Sequence, residues 1–299
     1  QPHVHSLKVD CSHSIAPTPH LLERIMSTRK RPVFPCGHVN PFHFLELEQL
    51  HRITRNHKAI SCNPDLLYQI RTARLKQRMS HMTEHRLTPL LRPRSIAVVG
   101  ASQREGSAGH GMVAGLINSG YGGKIYPVNP RYEEIQGLTC YGSLHDLPEA
   151  VDLAVLGVNS TFLEQQLDDA VATGARSATI FDTCYLDGES DRGLLSRLKA
   201  KSREADLPVC GGNGMGYLNM ADRIPVTIYD ASDKMQTGGN VTFITHSGTV
   251  FSEIGLNDFR YSCNLIVSSG QEINGTVADY MDYALDMPST RVIALFMEE

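Results

Sequence analysis

The chain of 299 residues is 41% hydrophobic, with 28 Lys/Arg against 32 Asp/Glu and a formal net charge of -4. That length admits about two domains of roughly 100–200 residues each. No apolar run approaches the roughly 20 residues of a membrane span, and Gln1-Pro2-His3-Val4-His5 lacks the basic-then-apolar order of a secretory signal.

The charge is unevenly spread. Residues 1–81 hold 12 Lys/Arg and 5 Asp/Glu, whereas residues 82–299 hold 16 and 27, and ten of the 13 histidines lie at or before His85. The first stretch contains Pro2, Pro17, Pro19, Pro32, Pro35, Pro41 and Pro64, and only Leu45 to Ile53 and Leu66 to Leu75 pass as helix. A basic, histidine-rich arm suits nucleic acid, but aromatic residues are not interleaved with the charges. The histidine spacings repeat no metal-ligand pattern. Residues 1–81 are therefore expected to be a poorly ordered basic extension without chemistry. Met82-Thr83-Glu84-His85-Arg86-Leu87 reads as a natural start, and what precedes it as translated upstream sequence.

After Pro93, apolar runs of four to six residues alternate with amphipathic stretches of ten to fifteen. Ser95 to Gly100 is a buried-strand run closing on glycine, and His110 to Ser119 follows as helix with Met112, Val113, Leu116 and Ile117 on one face. Strands are expected at Lys124–Val128, Asp152–Val158, Ala178–Phe181 and Pro208–Cys210, with helices at Phe162–Thr173 and Leu194–Ala205. Continuous apolar strands imply a sheet covered on both faces. Strand–helix alternation implies a parallel, doubly wound sheet. A second unit starts near Gly238-Gly239, with strands Val241–Thr245, Leu265–Ser268 and Val292–Met297 and helices near Thr249–Phe259 and Val277–Leu285. Because the chain stops at Glu298-Glu299, directly after a strand, this second unit is expected to be truncated. The seven cysteines (Cys11, Cys36, Cys62, Cys140, Cys184, Cys210 and Cys263) are odd in number, widely spaced and form no CxxC pair. They read as reduced cytoplasmic thiols, not as a disulfide framework or zinc site.

Gly100-Ala101-Ser102 follows the first strand and leads through Gly106 and Gly109 into a helix. Open parallel sheets bind ligands there, beyond the carboxyl ends of their strands. Glycine lets the backbone approach phosphate, and a helix N-terminus offers free N–H groups. The spacing is not GxGxxG, and the second strand ends in Val128-Asn129-Pro130-Arg131, where an NAD binder carries an acid for the ribose hydroxyls. A base suits a phosphorylated ribose, either of NADP or of coenzyme A, and a solvated turn residue would look the same.

The order of motifs narrows this choice. Leu91 to Ser102, Gly122 to Arg131 with its "PVNP plus base" turn, and Leu144 to Val158 resemble the CoA-binding domain of nucleoside-diphosphate-forming acyl-CoA synthetases. Gly239-Asn240-Val241, Ser247-Gly248-Thr249, Asp279-Tyr280 and the run from Asp286 to Glu298 resemble the following ligase domain, shared with the succinyl-CoA synthetase alpha subunit. The resemblance covers residues 88–299. It implies an α/β fold: a Rossmann-like doubly wound CoA-binding domain over 82–235, then a truncated flavodoxin-like ligase domain over 236–299.

The resemblance also implies a reaction: acyl phosphate formation, phosphoryl transfer to a protein histidine and on to ADP, with CoA capturing the acyl group. It places CoA phosphates at Gly100, Ala101 and Ser102, the adenosine end at Asn129, Pro130 and Arg131, and the CoA arm at Val158, Asn159 and Ser160. Ser247, Gly248 and Thr249 would face the phosphate of the phosphohistidine loop, and Glu298 would contact the catalytic histidine, which lies beyond this chain. The fragment by itself is expected to be inactive. ATP/ADP with Mg2+ would be bound by an ATP-grasp domain or subunit outside this chain. A small carboxylic acid is the expected substrate and a homo- or hetero-oligomer the expected assembly; neither nucleic acid nor membrane is expected as a partner.

Several positions depart from the family pattern. Its "GPNC-x-G" turn reads Gly211-Gly212-Asn213-Gly214-Met215-Gly216, its "S-Q-S-G" turn reads Thr245-His246-Ser247-Gly248, its "S-x-G-N" turn reads Ser268-Ser269-Gly270-Gln271, and a glycine–phenylalanine pair reads Cys184-Tyr185. His246 invites reading as the phosphorylated residue, but it stands where the family has a different residue. Two alternatives stay open: a non-catalytic CoA-sensing module of a protein acetyltransferase fusion, and an NADP-dependent oxidoreductase. The second needs a hydride-transfer pairing, and no Tyr/Lys or His/Asp at familiar spacing supplies one.

Overall fold

The computed structural model describes residues 84–189, 193–235, 238–256 and 262–298. The expectations for residues 1–81, and for a start at Met82, lie outside them.

A single buried turn, α1 (Thr88–Leu91), precedes the first strand. Then follow β1 (Ser95–Val99), α2 (Ala108–Asn118), β2 (Lys124–Val128), the short hairpin β3 (Glu134–Ile135) and β4 (Leu138–Thr139), β5 (Leu153–Leu156), α3 (Ser160–Ala172), β6 (Ala178–Ile180), α4 (Gly193–Glu204) and β7 (Val209–Gly211). The main strands form one sheet in the order β2-β1-β5-β6-β7, every pair parallel. All five residues of β1 are buried, as an apolar strand covered on both faces requires. Its alternate side chains part company: Ile96 and Val98 pack with Met112, Val113 and Leu116 of α2, whereas Ala97 and Val99 pack with Leu163 and Leu167 of α3 and Leu194 and Leu198 of α4.

The chain then makes a hairpin, β8 (Gly216–Asn219) and β9 (Ile224–Val226), before β10 (Val241–Thr245), α5 (Gly248–Leu256), β11 (Cys263–Ser268), α6 (Val277–Asp286) and β12 (Val292–Phe296). These strands form a second sheet in the order β12-β10-β11-β8-β9. Here β10 pairs parallel with β11 and β12, but β8 runs antiparallel to both β11 and β9, so the sheet is mixed. The hairpin was not foreseen from the sequence. Its strands are four and three residues long and fully buried, too short for a period to register.

The two sheets share one core. Leu87, Leu90 and Leu91 around α1, with α2 and with Val277, Tyr280 and Tyr283 of α6, lie between Ile96 and Val98 of the first sheet and Tyr217, Ile244, Leu265 and Val267 of the second. The Tyr217 hydroxyl donates to the Leu90 carbonyl, and the Asn219 amide donates to the Leu91 carbonyl at 2.8 Å. Burying those groups unpaired would cost about 1–3 kcal/mol each. The outer face of the second sheet is closed by Phe251 of α5 against Leu218 and Ile266.

Candidate functional site

Register sets the first rim. Val99 lies level with Val128 of β2 and Leu156 of β5, so Gly100, Asn129 and Gly157 leave the sheet side by side. From β1 the chain turns to β2 on one side, while β5 lies on the other. That reversal opens a crevice at the carboxyl ends of the strands.

Gly100 turns there with φ +84°, and a Cβ on it would collide with the Gly157 carbonyl oxygen; one on Gly109 would collide with the Gly100 carbonyl. The loop is thus pressed between the end of β5 and the first turn of α2, an approach that side chains would prevent. Ser107 caps α2, its hydroxyl accepting from the His110 amide at 3.3 Å. The Ser102 hydroxyl accepts from the Arg104 amide at 3.0 Å. Asn129 joins the two turns, its amide donating to the Ala101 carbonyl at 2.7 Å while its oxygen accepts from the Arg131 amide at 3.0 Å. Pro130 and Arg131 are exposed.

Val158 is half-buried after β5, and Asn159 caps α3 by accepting from the Thr161 amide at 3.2 Å. Ser160 is buried and committed within the protein: its hydroxyl donates to the Asp182 carboxylate and accepts from the Tyr185 amide at 3.2 Å. Gly100, Ala101, Ser102 and Asn129 are therefore brought into one turn cluster, with Val158 and Asn159 beside them and the Ser160 hydroxyl turned toward β6. Sequence reasoning missed two members of this rim. Arg104 is exposed on the loop itself, and Asp182 holds Ser160 from the end of β6; neither position carries a periodic or spacing signal. The Arg104 and Arg131 side chains make no hydrogen bond or ion pair among the described residues, which leaves two unpaired cations on this rim. Cys184 adopts φ +59°, and burial followed by the nearby Asp182 carboxylate pushes its thiol up to about 12. It stays protonated at neutral pH and is no nucleophile.

The second rim has the same topology. Thr245 of β10 is level with Ser268 of β11 and Phe296 of β12. The chain runs from β10 to β11 on one side and crosses back to β12 on the other. Ser247 opens α5: its amide donates to the Thr245 hydroxyl at 2.9 Å and its carbonyl accepts from the Phe251 amide at 3.1 Å. Gly248 and Thr249 form the first turn, Thr249 exposed. Glu298 is exposed at the end of β12, and its main chain meets the His246 Nδ1, with N at 3.3 Å and O at 3.2 Å. The His246 Nε2 lies 3.2 Å from Glu272 Oε1, which also accepts from the Val277 amide at 2.8 Å. Glu272 is the residue missed here, because the sequence places it 26 positions from His246. Among the described residues, no group of three or more His, Cys, Asp or Glu is placed to hold a metal, and no helix is long and apolar enough to cross a membrane.

Residues 94–219 match the CoA binding domain family, and residues 238–299 match the succinyl-CoA ligase like flavodoxin domain. The chain is a homologue of ADP-forming acyl-CoA synthetases. It is 31% identical over 216 residues to the alpha subunit of ADP-forming acetate–CoA ligase II from Pyrococcus furiosus, covering 69% of this chain and 45% of that one. It is 30% identical over 214 residues to a trans-feruloyl-CoA synthase from an unknown prokaryotic organism, covering 70% and 30%. Among solved structures it resembles the dinucleotide-forming acetyl-coenzyme A synthetase 1 of Candidatus Korarchaeum cryptofilum, in complex with phosphate and ADP, at TM-score 0.64 and 31% identity, covering 71% of this chain and 46% of that one. This synthetase homologue thus spans less than half the length of each of these relatives. The matches bear out the expected family and the pairing of a Rossmann-like CoA-binding domain with a flavodoxin-like ligase domain.

Proposed function

We propose that this chain is the CoA-binding part of an ADP-forming acyl-CoA synthetase, an acid–thiol ligase that converts a carboxylate, CoA and ATP to acyl-CoA, ADP and phosphate through a phosphohistidine. One observation carries the reading. Two collinear domains each turn a topological switch point outward, and the first presents a glycine-lined turn with two arginines unpaired among the described residues.

The residues present suit CoA, whose adenosine 3′-phosphate and diphosphate need cations and N–H donors. In this reading the Gly100-Ala101-Ser102 turn and the first turn of α2 hold the diphosphate, joined by Arg104. Asn129 shapes the turn on which Pro130 and Arg131 meet the adenosine end, and Arg131 takes the 3′-phosphate. Val158 and Asn159 guide the arm past β5, with Ser160 stiffening that corner through Asp182. CoA, when bound, supplies the thiol that captures the acyl group. At the second rim, Ser247, Gly248 and Thr249 offer the N-terminus of α5 to a phosphorylated histidine, and the Glu298 carboxylate holds the tautomer of that histidine. His246 is a poor candidate for the phosphorylated residue, since both its ring nitrogens are already engaged. The reading therefore assigns that histidine, the ATP/ADP and Mg2+ sites and the ATP-grasp partner to parts other than the described residues. Residues 82–235 serve as the CoA-binding domain and 236–299 as ligase domain, in a cytoplasmic homo- or hetero-oligomer acting on a small carboxylic acid. The four described cysteines are free and buried, in keeping with reduced thiols.

Calorimetric titration of the full chain tests the proposal. CoA is expected to bind about tenfold tighter than dephospho-CoA, the equivalent of about 1.4 kcal/mol. NADP binding in preference to CoA would overturn it.

A further inference from the structure

We infer that His246 is a positioning residue: its imidazole fixes the end of β12, and through it Glu298. The meaning of that fixation for catalysis rests on the role proposed for Glu298; the fixation itself rests on geometry.

Three segments far apart in sequence meet on this one ring. The His246 amide donates to the Phe296 carbonyl at 3.2 Å, which sets β10 and β12 level at their ends. Among the described residues β12 is the edge strand of its sheet, and Val292, Leu295, Phe296 and Met297 are exposed. An exposed strand end without side-chain anchorage frays. The imidazole supplies the anchorage. Its Nδ1 reaches the Glu298 main chain, 3.3 Å from N and 3.2 Å from O. Its Nε2 faces Glu272 Oε1 at 3.2 Å, and the side chains of this pair are 21% and 27% exposed, so the contact is partly buried.

The carboxylate decides the tautomer. Glu272 Oε1 is an acceptor that already takes the Val277 amide at 2.8 Å, so the ring must present N–H at Nε2. The neutral ring then has its lone pair on Nδ1 and accepts the Glu298 amide at 3.3 Å, while the Glu298 carbonyl oxygen, an acceptor like that nitrogen, makes no hydrogen bond to it. Glu272 is itself held, in a backbone conformation with φ +51°, by the start of α6. The order of support runs from α6 to Glu272, to His246, to the main chain of Glu298. Glutamine, which the resemblance places at this position, could reach Glu272 but could not at once accept the Glu298 amide. Histidine adds that second contact.

Two near-isosteric substitutions separate the arms. An asparagine side chain reproduces the Nδ1 acceptor and a glutamine side chain the Nε2 donor, so His246→Asn and His246→Gln each keep one contact. The experiment is NMR on the full chain at about pH 8.5, above the usual imidazole range, reading ring 15N shifts and exchange of the Glu298 amide. The expected result is a protonated Nε2 with an unprotonated, hydrogen-bonded Nδ1. Exchange at Glu298 should quicken roughly five- to tenfold in His246→Gln and His246→Ala, the worth of one modest hydrogen bond. It should stay within about twofold of the parent in His246→Asn. Urea midpoints of the variants identify any that fail to fold, and the 15N shifts of the parent decide independently of the variants. A proton on Nδ1 in the neutral ring, or unchanged exchange in a folded His246→Ala, would overturn the assignment. Glu298→Gln keeps the main-chain contact, so its exchange is expected to be unaltered. A failure of the catalytic reading of Glu298 is thereby distinct from a failure of the brace.

Discussion

The two rims have the same topology and differ in what ties their turns together. At the first, backbone meets backbone: Gly100 under Gly157, Gly109 under Gly100, with Asn129 as the side-chain tie between the turns. At the second, Gly270 also lies close under the Gly212 carbonyl, but side chains make the ties between segments: His246 with Glu272, and Ser247, whose hydroxyl accepts from the Val250 amide at 3.5 Å. A switch point supplies a crevice in either case. Glycines at the first rim let main-chain segments close on one another, whereas the side-chain brace at the second holds single groups in fixed places.

The strongest way to break the comparison is to put side chains into the first rim. Gly100→Ala adds a Cβ against the Gly157 carbonyl and strains a φ of +84°. A loss of about 3 kcal/mol is expected from overpacking and backbone strain together, read as a fall in the urea midpoint. A near-neutral result would mean that the close approach does not constrain the rim.

A smaller loss is expected at the opposite end of the first sheet. Burial alone would raise the Asp152 carboxyl, but hydrogen bonds from the Arg94 side chain and amide and from Arg176 outweigh it and hold it below the ordinary aspartate range. The Arg94 amide bond is 2.8 Å and the Arg176 bond 2.9 Å. Asp152→Asn should cost about 2 kcal/mol at neutral pH. A carboxyl depressed by folding contributes fully above its unfolded value, near 3.9, and that contribution is lost as pH falls through the lower folded value. The gap between parent and variant urea midpoints should therefore close on acidification below about pH 4. A gap that persists there would count against the ion pair as its source.

Arg131→Ala sharpens the ligand side of the contrast. CoA affinity should drop about tenfold while dephospho-CoA binding stays within about twofold, since one phosphate contact is worth about 1.5 kcal/mol. Equal losses for both ligands would remove the 3′-phosphate role. The smallest effect is expected at α6, where Thr276 and Asp279 form a reciprocal capping box. Thr276→Ala should lower stability by about 1 kcal/mol. Because α6 supports Glu272, it should also quicken exchange at Glu298 slightly, and no change there would place the brace on His246 alone.

The strands and helices were legible where local pattern was dense. Ser95 to Val99 announces a covered strand by five consecutive residues that all bury, and Lys124–Val128 and Val241–Thr245 match their expected bounds. Helix starts moved by one or two residues because caps decide them: Ser107 starts α2 and Asn159 starts α3, each ahead of the apolar period. The glycine turn at Gly100 and the "PVNP plus base" turn were legible because a tight approach and a turn demand particular residue types locally.

Sequence by itself thus determined the main alternation of strands and helices, the presence of two sheet-forming units and the family, all of which rest on short-range pattern and motif order. Tertiary structure decided three further things. The β8–β9 hairpin joins the second sheet by pairing with β11, 46 to 52 residues onward. Ser160 turns to Asp182, 22 residues away, and so stiffens the crevice wall. His246 meets Glu272 and Glu298, 26 and 52 residues away. The physical reason is common to all three. A hydrogen bond between distant residues depends on register and crossover, which place chain ends together in space, and leaves no period in the sequence from which to read it.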